Sequence, residues 1–292
     1  MLAAVSAYFN PCNYVRLRDN LTRFRRQWHG CPLYVIELAY DASQPVNTDS
    51  DWRIVGDRHK NGLWQKEALL NEAARRLPRD VDRVVLVDAD MLFTNPRWAT
   101  ETEHVLDDVP ICQPFERVHF LDSCGRFGEQ PHLDSTAARL RDVGTTADQQ
   151  RIAPGGAWAL RRELLDSVGL YASHPLGSND GILQHATCGL FGGCLYRRLP
   201  RPLNRHALEW SWSWYSHTRG RLGCVPGELI HSFHGTQRDR QYATRESVLH
   251  EHSFDPVSDV RINDDGLLEW SSDKLSLHQA VCNYFSARKE DD

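Results

Sequence analysis

The sequence has no Cys-x-x-Cys pair, no long apolar run, no surplus of positive charge, no internal repeat and no long low-complexity tract. Its eight cysteines, at 12, 31, 112, 124, 188, 194, 224 and 282, are scattered, which argues for reduced thiols in a cytoplasmic protein and against a disulfide framework or zinc knuckle. With 34 basic and 39 acidic residues the net charge is −5, so no overall field draws the chain to nucleic acid or an anionic membrane, and only a local basic patch stays open. Met1-Leu2-Ala3-Ala4-Val5 has no cationic lead, and Tyr8-Phe9-Asn10-Pro11 soon ends the run. A first strand is expected there, not a signal peptide or an anchor, and no stable membrane insertion.

What is present centres on Val84-Val85-Leu86-Val87-Asp88-Ala89-Asp90-Met91-Leu92-Phe93. The valine-rich run reads as a strand buried on both faces, as in the middle of a parallel sheet. Continued through residues 81–90, such a strand points Asp88 and Asp90 the same way, on either side of Ala89. Two like charges side by side are costly to bury unless a cation joins them. A divalent metal bridging to an anionic ligand answers that cost. Oxygen ligands favour Mg²⁺ or Mn²⁺, and a metal with few protein ligands keeps positions for phosphate oxygens.

Earlier in the chain, a strand over 3–9, an amphipathic helix over 14–28 and a strand over 32–39 open a parallel α/β domain. Residues 41–51 read as a loop and 52–56 as a short strand. The helix expected over 63–77 places Leu63, Leu70, Ala73, Ala74 and Leu77 on one face, with Lys66 among them. Either the Lys66 stem lies on apolar surface with its amine in water, or the amine reaches a phosphate near the metal. Residues 98–109 read as partly helical, 111–115 and 118–121 as strands, and 123–150 as a polar, glycine-bearing, acceptor-facing stretch with one amphipathic segment at 135–143.

Gly155 and Gly156 open a strand over 152–160, marking either a tight turn or a place where a ligand touches backbone. Asp180, ahead of a helix over 182–186, is either a helix cap or a carboxylate at the rim of a site. Residues 209–215, Glu-Trp-Ser-Trp-Ser-Trp-Tyr, alternate as a strand would; Trp210, Trp212 and Trp214 then share a face, as core or as a platform for an acceptor ring. His231 and His234 end an apolar strand and are followed by Gly235, Arg238 and Arg240. That grouping reads as a metal-and-phosphate contact, with structural roles as the alternative. A helix over 276–286 lies in the tail.

Taken together, Leu63 to Asn71, Asp88-Ala89-Asp90, Pro154-Gly155-Gly156-Ala157-Trp158, Asn179-Asp180 and His231-x-x-His234-Gly235 resemble the GT-A glycosyltransferases, which use a divalent cation and a nucleotide-diphosphate sugar. The resemblance implies a Rossmann-like α/β fold with a mixed, mostly parallel sheet flanked by helices. It implies a domain over 1–244, with donor half 1–100 and acceptor-side half 101–244, and a C-terminal extension over 245–292 to which no functional residue transfers. It also implies a hexosyl- or pentosyltransferase using Mn²⁺ or Mg²⁺. Asp90 would bind metal, Asp88 metal or the donor ribose, and His234 (before His231) would complete the metal shell. Asp180 would be the base of an inverting transfer, although its flanks, Asn179 and Gly181, depart from the paired acids common in inverting members; retaining members carry a comparable aspartate and also end with a His-Gly motif, so the stereochemistry stays open.

On physical grounds Lys66 and Arg238 or Arg240 would stabilise the leaving diphosphate, Gly155 and Gly156 would border the donor, and Asn10 and Asp57 would contact the nucleotide. Trp212 and Trp214 are the acceptor candidates. The acceptor itself, whether glycan, lipid-linked, protein, small molecule or modified nucleic acid, stays open. One alternative is a sugar-phosphate nucleotidyltransferase, which Phe9-Asn10-Pro11-Cys12-Asn13 disfavours because it lacks a glycine-rich basic loop. The other is a non-catalytic carbohydrate-binding protein using the tryptophan face.

Overall fold

The computed structural model describes residues 1–40, 50–144, 151–236 and 238–292, and in it the valine-rich run packs two ways. Val84 and Leu86 enter a core with Ala3, Val5, Leu69, Leu70, Ala73 and Ala74, whereas Val85 and Val87 enter another with Leu2, Ala4, Leu21, Phe24 and Trp98. Each fully buried side chain of this kind contributes roughly 1.5–3 kcal/mol. This two-sided burial is why the run contains no polar residue until it leaves the sheet.

The strands, in chain order, are β1 (Leu2–Phe9), β2 (Leu33–Ala39), β3 (Trp52–Val55), β4 (Arg83–Val87), β5 (Met91–Phe93), β6 (Ile111–Gln113), β7 (Arg117–Phe120), β8 (Leu133–Ser135), β9 (Ile152–Ala153), β10 (Ala157–Arg161), β11 (Leu222–Cys224), β12 (Glu228–His231), β13 (Val260–Ile262) and β14 (Leu268–Trp270). Seven form one sheet in the order β11-β6-β10-β4-β1-β2-β3. Strands β4, β1, β2 and β3 are mutually parallel, β11 is parallel to β6, and β10 is antiparallel to both of its neighbours. The expected mixed, mostly parallel α/β sheet is therefore present, with β4 at its centre. Helices Val15–Gln27 and Trp98–Asp108 cover one face and helix Lys66–Arg76 covers the other. A second sheet, β5-β12-β7-β8-β9, lies beyond the carboxyl end of β4, and β13-β14 is a hairpin.

The segment after residue 245 shares a core with the rest of the chain. Leu277, Val281, Tyr284 and Phe285 of helix Leu275–Ala287 pack in one cluster with Leu63, Ala68, Ile182 and Leu195. Gln65, fully buried, donates to Leu268 O at 2.7 Å and accepts from Leu268 N at 3.0 Å, which ties the start of helix Lys66–Arg76 to the hairpin. Asp291 accepts the N–H groups of Val15 at 3.1 Å and Arg16 at 2.8 Å, supplying the cap that Tyr14 does not.

The tryptophan-rich run is not a strand. It lies within helix Arg201–Thr218, where Leu203, Ala207, Ser211, Trp214 and Thr218 are buried at spacings of three and four. Trp–Ser alternation satisfies a period of two by coincidence, and the ring of Trp210 stacks on that of Trp214 one turn on, 5.3 Å away. The loop expected over 41–51 falls outside the described residues except for Ser50 and Asp51, as do 145–150 of the polar stretch. Among the described residues no helix is long and apolar enough to cross a membrane.

Candidate active site

Strand β4 stops at Val87, three residues before Asp90, where the strand alternation expected for the acids would be complete. Asp88-Ala89-Asp90 forms the turn by which the chain leaves the main sheet for β5, with Met91 N donating to Asp88 O at 3.2 Å and Ser232 N to Asp90 O at 2.9 Å. The acids consequently face different partners.

Asp88 turns to Lys66, whose Nζ lies 2.9 Å from Asp88 Oδ1 and 2.8 Å from both oxygens of Asp180. The amine thus neither escapes to water nor stands free for a phosphate; it joins two carboxylates. Burial opposes its charge, but Asp180, Asp88 and Glu67 outweigh this and hold the ammonium well above its ordinary range. Burial pushes the Asp88 carboxyl up to about 6, with Lys66 pulling it back and Asp180 and Asp90 adding to the rise. Glu67, buried beside them, accepts from Trp64 Nε1 at 2.9 Å and Asn179 Nδ2 at 2.7 Å.

Asp180 is the second residue of helix Asn179–Cys188 and spends its carboxylate on Lys66, not on capping the helix. Gly155 makes room for it. A Cβ on Gly155 would lie 2.7 Å from Asp180 Oδ2, and Gly156 has φ +94°.

Asp90 turns the other way. Its Oδ2 lies 2.9 Å from His234 Nε2 and 3.6 Å from His231 Nε2, and the two imidazole nitrogens are 3.1 Å apart. Asp90, His231 and His234 each bring one ligand atom, all within 4.8 Å of one another. Burial opposes the Asp90 charge, but His231 and His234 outweigh it and hold the carboxyl below its ordinary range. Burial, countered by Asp90 and aided by His234 and Arg240, pushes His231 down to about 3, leaving it neutral as a metal ligand must be. Asp90 Oδ1 is buried without a hydrogen-bond partner among the described residues, the kind of orphaned acceptor that a cation satisfies. The set fits a divalent ion and leaves most of its coordination positions to other ligands.

Both clusters open into one cleft of about 860 Å³, at the carboxyl ends of β1 and β4 and bordered by the second sheet. Gly155, Gly156 and Arg240 line it too. Arg240 is buried, donates to Tyr242 Oη and His234 O, and has an unpartnered buried Nε. Other expected contacts are elsewhere. Arg238 is exposed and does not line the cleft. Asp57 caps a short helix by accepting from His59 N and Lys60 N, away from the cleft. Asn10 is buried in a turn, donating to Tyr8 Oη and Tyr14 O and accepting from Tyr14 N, so its amide has local work. Trp214 is fully buried and donates to Thr187 Oγ1, and Trp212 is exposed against Phe191 outside the cleft. Neither stands where an acceptor in the cleft would meet it.

No protein-family model matches the chain, and no curated protein is similar to it by sequence. Solved structures are similar to it at low identity. A Drosophila β1,4-galactosyltransferase 7 mutant in complex with manganese, UDP-Gal and xylobiose is 12% identical over 77% of this chain and 64% of that one, with a TM-score of 0.35. Glucosyl-3-phosphoglycerate synthase from Mycobacterium tuberculosis, in complex with Mg²⁺ and UDP, is 12% identical over 89% of this chain and 82% of that one, with a TM-score of 0.42. S. aureus TarS with UDP-GlcNAc is 11% identical over 63% of this chain and 52% of that one, with a TM-score of 0.36.

Sequence reasoning missed four groups in the cleft. Trp64, Arg245, Arg288 and Glu290 all line it, three of them from the segment to which no function was assigned. The Arg288 guanidinium stands 5.4 Å over the Trp64 ring, whose edge meets Phe9 at 5.3 Å. Trp64 lies inside the segment 63–71 already singled out, whereas no local pattern announces the other three, because the path of the tail brings them to the site.

Proposed function

We propose that this chain is a metal-dependent glycosyltransferase of GT-A architecture, moving a sugar from a nucleotide-diphosphate sugar, a UDP-sugar in the first instance, to an acceptor hydroxyl. The observation that carries this reading is the orphaned Asp90 Oδ1 beside His231 and His234, in the same cleft as the Lys66, Asp88 and Asp180 network. Asp90, His231 and His234 would hold the cation, and two imidazoles favour Mn²⁺ over Mg²⁺. The bound metal supplies positive charge to the leaving diphosphate.

The protein's own groups do the rest. Arg240, buried with no carboxylate within ion-pairing distance among the described residues, offers its charge to the same diphosphate. Asp180 lines the cleft outside the metal-capable set and would take the acceptor proton, as an inverting transfer requires. The acceptor oxygen bonds to the anomeric carbon as the bond from that carbon to the diphosphate oxygen breaks. The proton passes to Asp180 and the electron pair leaves with the nucleoside diphosphate. Donor phosphates compete with Asp180 for the Lys66 ammonium, and that competition releases the base as the donor arrives. Asp88 anchors Lys66 or meets the donor ribose.

Incubation with a panel of nucleotide sugars and Mn²⁺, read by nucleoside diphosphate release, tests the proposal. Release with one donor supports it; no release and no thermal shift with any nucleotide overturns it. Pyrophosphate release from a nucleoside triphosphate and a sugar phosphate would instead favour a nucleotidyltransferase. The carbohydrate-binding alternative loses the flat tryptophan face on which it rested.

A further inference from the structure

We infer that Glu290 is a positioning residue for the metal site, presented by a turn of the C-terminal segment that is strapped across the cleft; this rests on the reading of Asp90, His231 and His234 as metal ligands. Glu290 is 2% exposed, and its Oε1 lies 3.7 Å from His234 Nδ1. That nitrogen is on the opposite side of the ring from the Nε2 that faces Asp90, and it is buried with no hydrogen bond among the described residues. A metal-bound histidine commonly gives its second N–H to a carboxylate, which fixes the tautomer and turns the other nitrogen to the metal. Glu290 stands where that carboxylate belongs.

The turn carrying Glu290 is fixed on several sides. Arg288 Nε and one terminal nitrogen lie 2.6 and 2.5 Å from Glu290 Oε1. The Tyr14 hydroxyl accepts from Lys289 N at 3.2 Å and donates to the carbonyls of Phe285 and Ser286, and Asp291 caps helix Val15–Gln27. Gly235, directly after His234, has φ +92°, and a Cβ there would lie 3.1 Å from Arg288 O and 3.3 Å from the Glu290 Cα. The glycine of His-x-x-His-Gly therefore makes way for the strap. A carboxylate needed only to neutralise Arg288 would not have to sit beside the far nitrogen of a metal-ligand histidine.

The test is Mn²⁺ binding to the full chain without nucleotide, followed by the electron paramagnetic resonance signal of the free ion. Glu290→Gln should weaken binding on the order of 10- to 100-fold and, because it leaves the buried Arg288 charge unpaired, should also lower the melting temperature, and Glu290→Asp should restore part of both. Wild-type chain that binds no Mn²⁺ would overturn the metal reading itself; wild type and Glu290→Gln binding Mn²⁺ equally would overturn this inference alone. If Glu290→Gln does not fold, nitrogen-15 spectra of the Mg²⁺-loaded wild-type imidazoles decide. His234 protonated on Nδ1 supports the inference, and His234 protonated on Nε2 overturns it.

Discussion

Asp180 reaches Lys66 only because residue 155 has no side chain: a Cβ on Gly155 would lie 2.7 Å from Asp180 Oδ2. The amine that receives Asp180 also holds Asp88 at 2.9 Å, so one missing methyl group sets the spacing of both carboxylates. Gly155→Ala should therefore cut transfer by about 10²-fold through misplacement of Asp180, with Mn²⁺ affinity kept. Steady-state kinetics beside a Mn²⁺ titration would show it, and wild-type turnover would refute the link.

Asp180→Asn should retain UDP and Mn²⁺ binding and lose about 10²–10⁴-fold in turnover, the range for a general base. Calorimetric titration and a single-turnover assay separate the two effects. Full activity would remove Asp180 from the role of base.

Asp90→Asn should weaken Mn²⁺-dependent UDP binding by more than about 100-fold, because it removes a direct ligand where loss of a supporting residue already costs 10- to 100-fold. The fold should survive, because the turn is held by the backbone hydrogen bonds from Met91 N to Asp88 O and from Ser232 N to Asp90 O, which the substitution leaves in place. Unchanged affinity in calorimetry with UDP and Mn²⁺ would count heavily against the site.

Glu67 gives a pH test. Burial pushes its carboxyl up to about 7, with Lys66 opposing and Asp180 adding to the rise. A carboxyl raised on folding binds its proton more tightly in the native state, so its contribution to stability is whole below about pH 4.5 and is lost as pH rises through about 7. Glu67→Gln keeps an acceptor for Trp64 and Asn179 and should flatten this slope. Its melting temperature should exceed that of the wild type at pH 8, by an amount equivalent to at most about 3 kcal/mol, and the two should converge near pH 4. Parallel melting curves across this range would refute the assignment.

Trp214→Ala should destabilise the fold by about 3–5 kcal/mol, because it empties a fully buried site in the helix packing. Trp212→Ala, at an exposed position, should stay within about 0.5 kcal/mol and leave the acceptor KM unchanged. Chemical denaturation and kinetics check both.

What the sequence disclosed follows from what local pattern can carry. Two-sided burial of β4 and the acids that follow it are written in consecutive residues, and the glycine pair, Asp180 and the late histidines are each visible as chemistry at the end of an element. The direction of the two acids was not, because it depends on the chain leaving the sheet at Val87 rather than continuing in it. Asn10 and Asp57 are polar residues near strand ends, and nothing nearby told a turn or a cap from a nucleotide contact. The tryptophan run met the strand period and the helix period at once, and the buried spacing from Leu203 to Thr218 was the signal to use. Arg288 and Glu290 join the site through contacts made across most of the chain.

The tie between Asp291 and the first helix also has a consequence in time. Val15 waits for a cap that is 276 residues away, a span that synthesis at about 5–20 residues per second covers in roughly 15–55 s. The sheet and its flanking helices can collapse during that interval, while the cleft stays unfinished. A nascent chain therefore carries every strand of the main sheet before it carries the residues that complete the cleft.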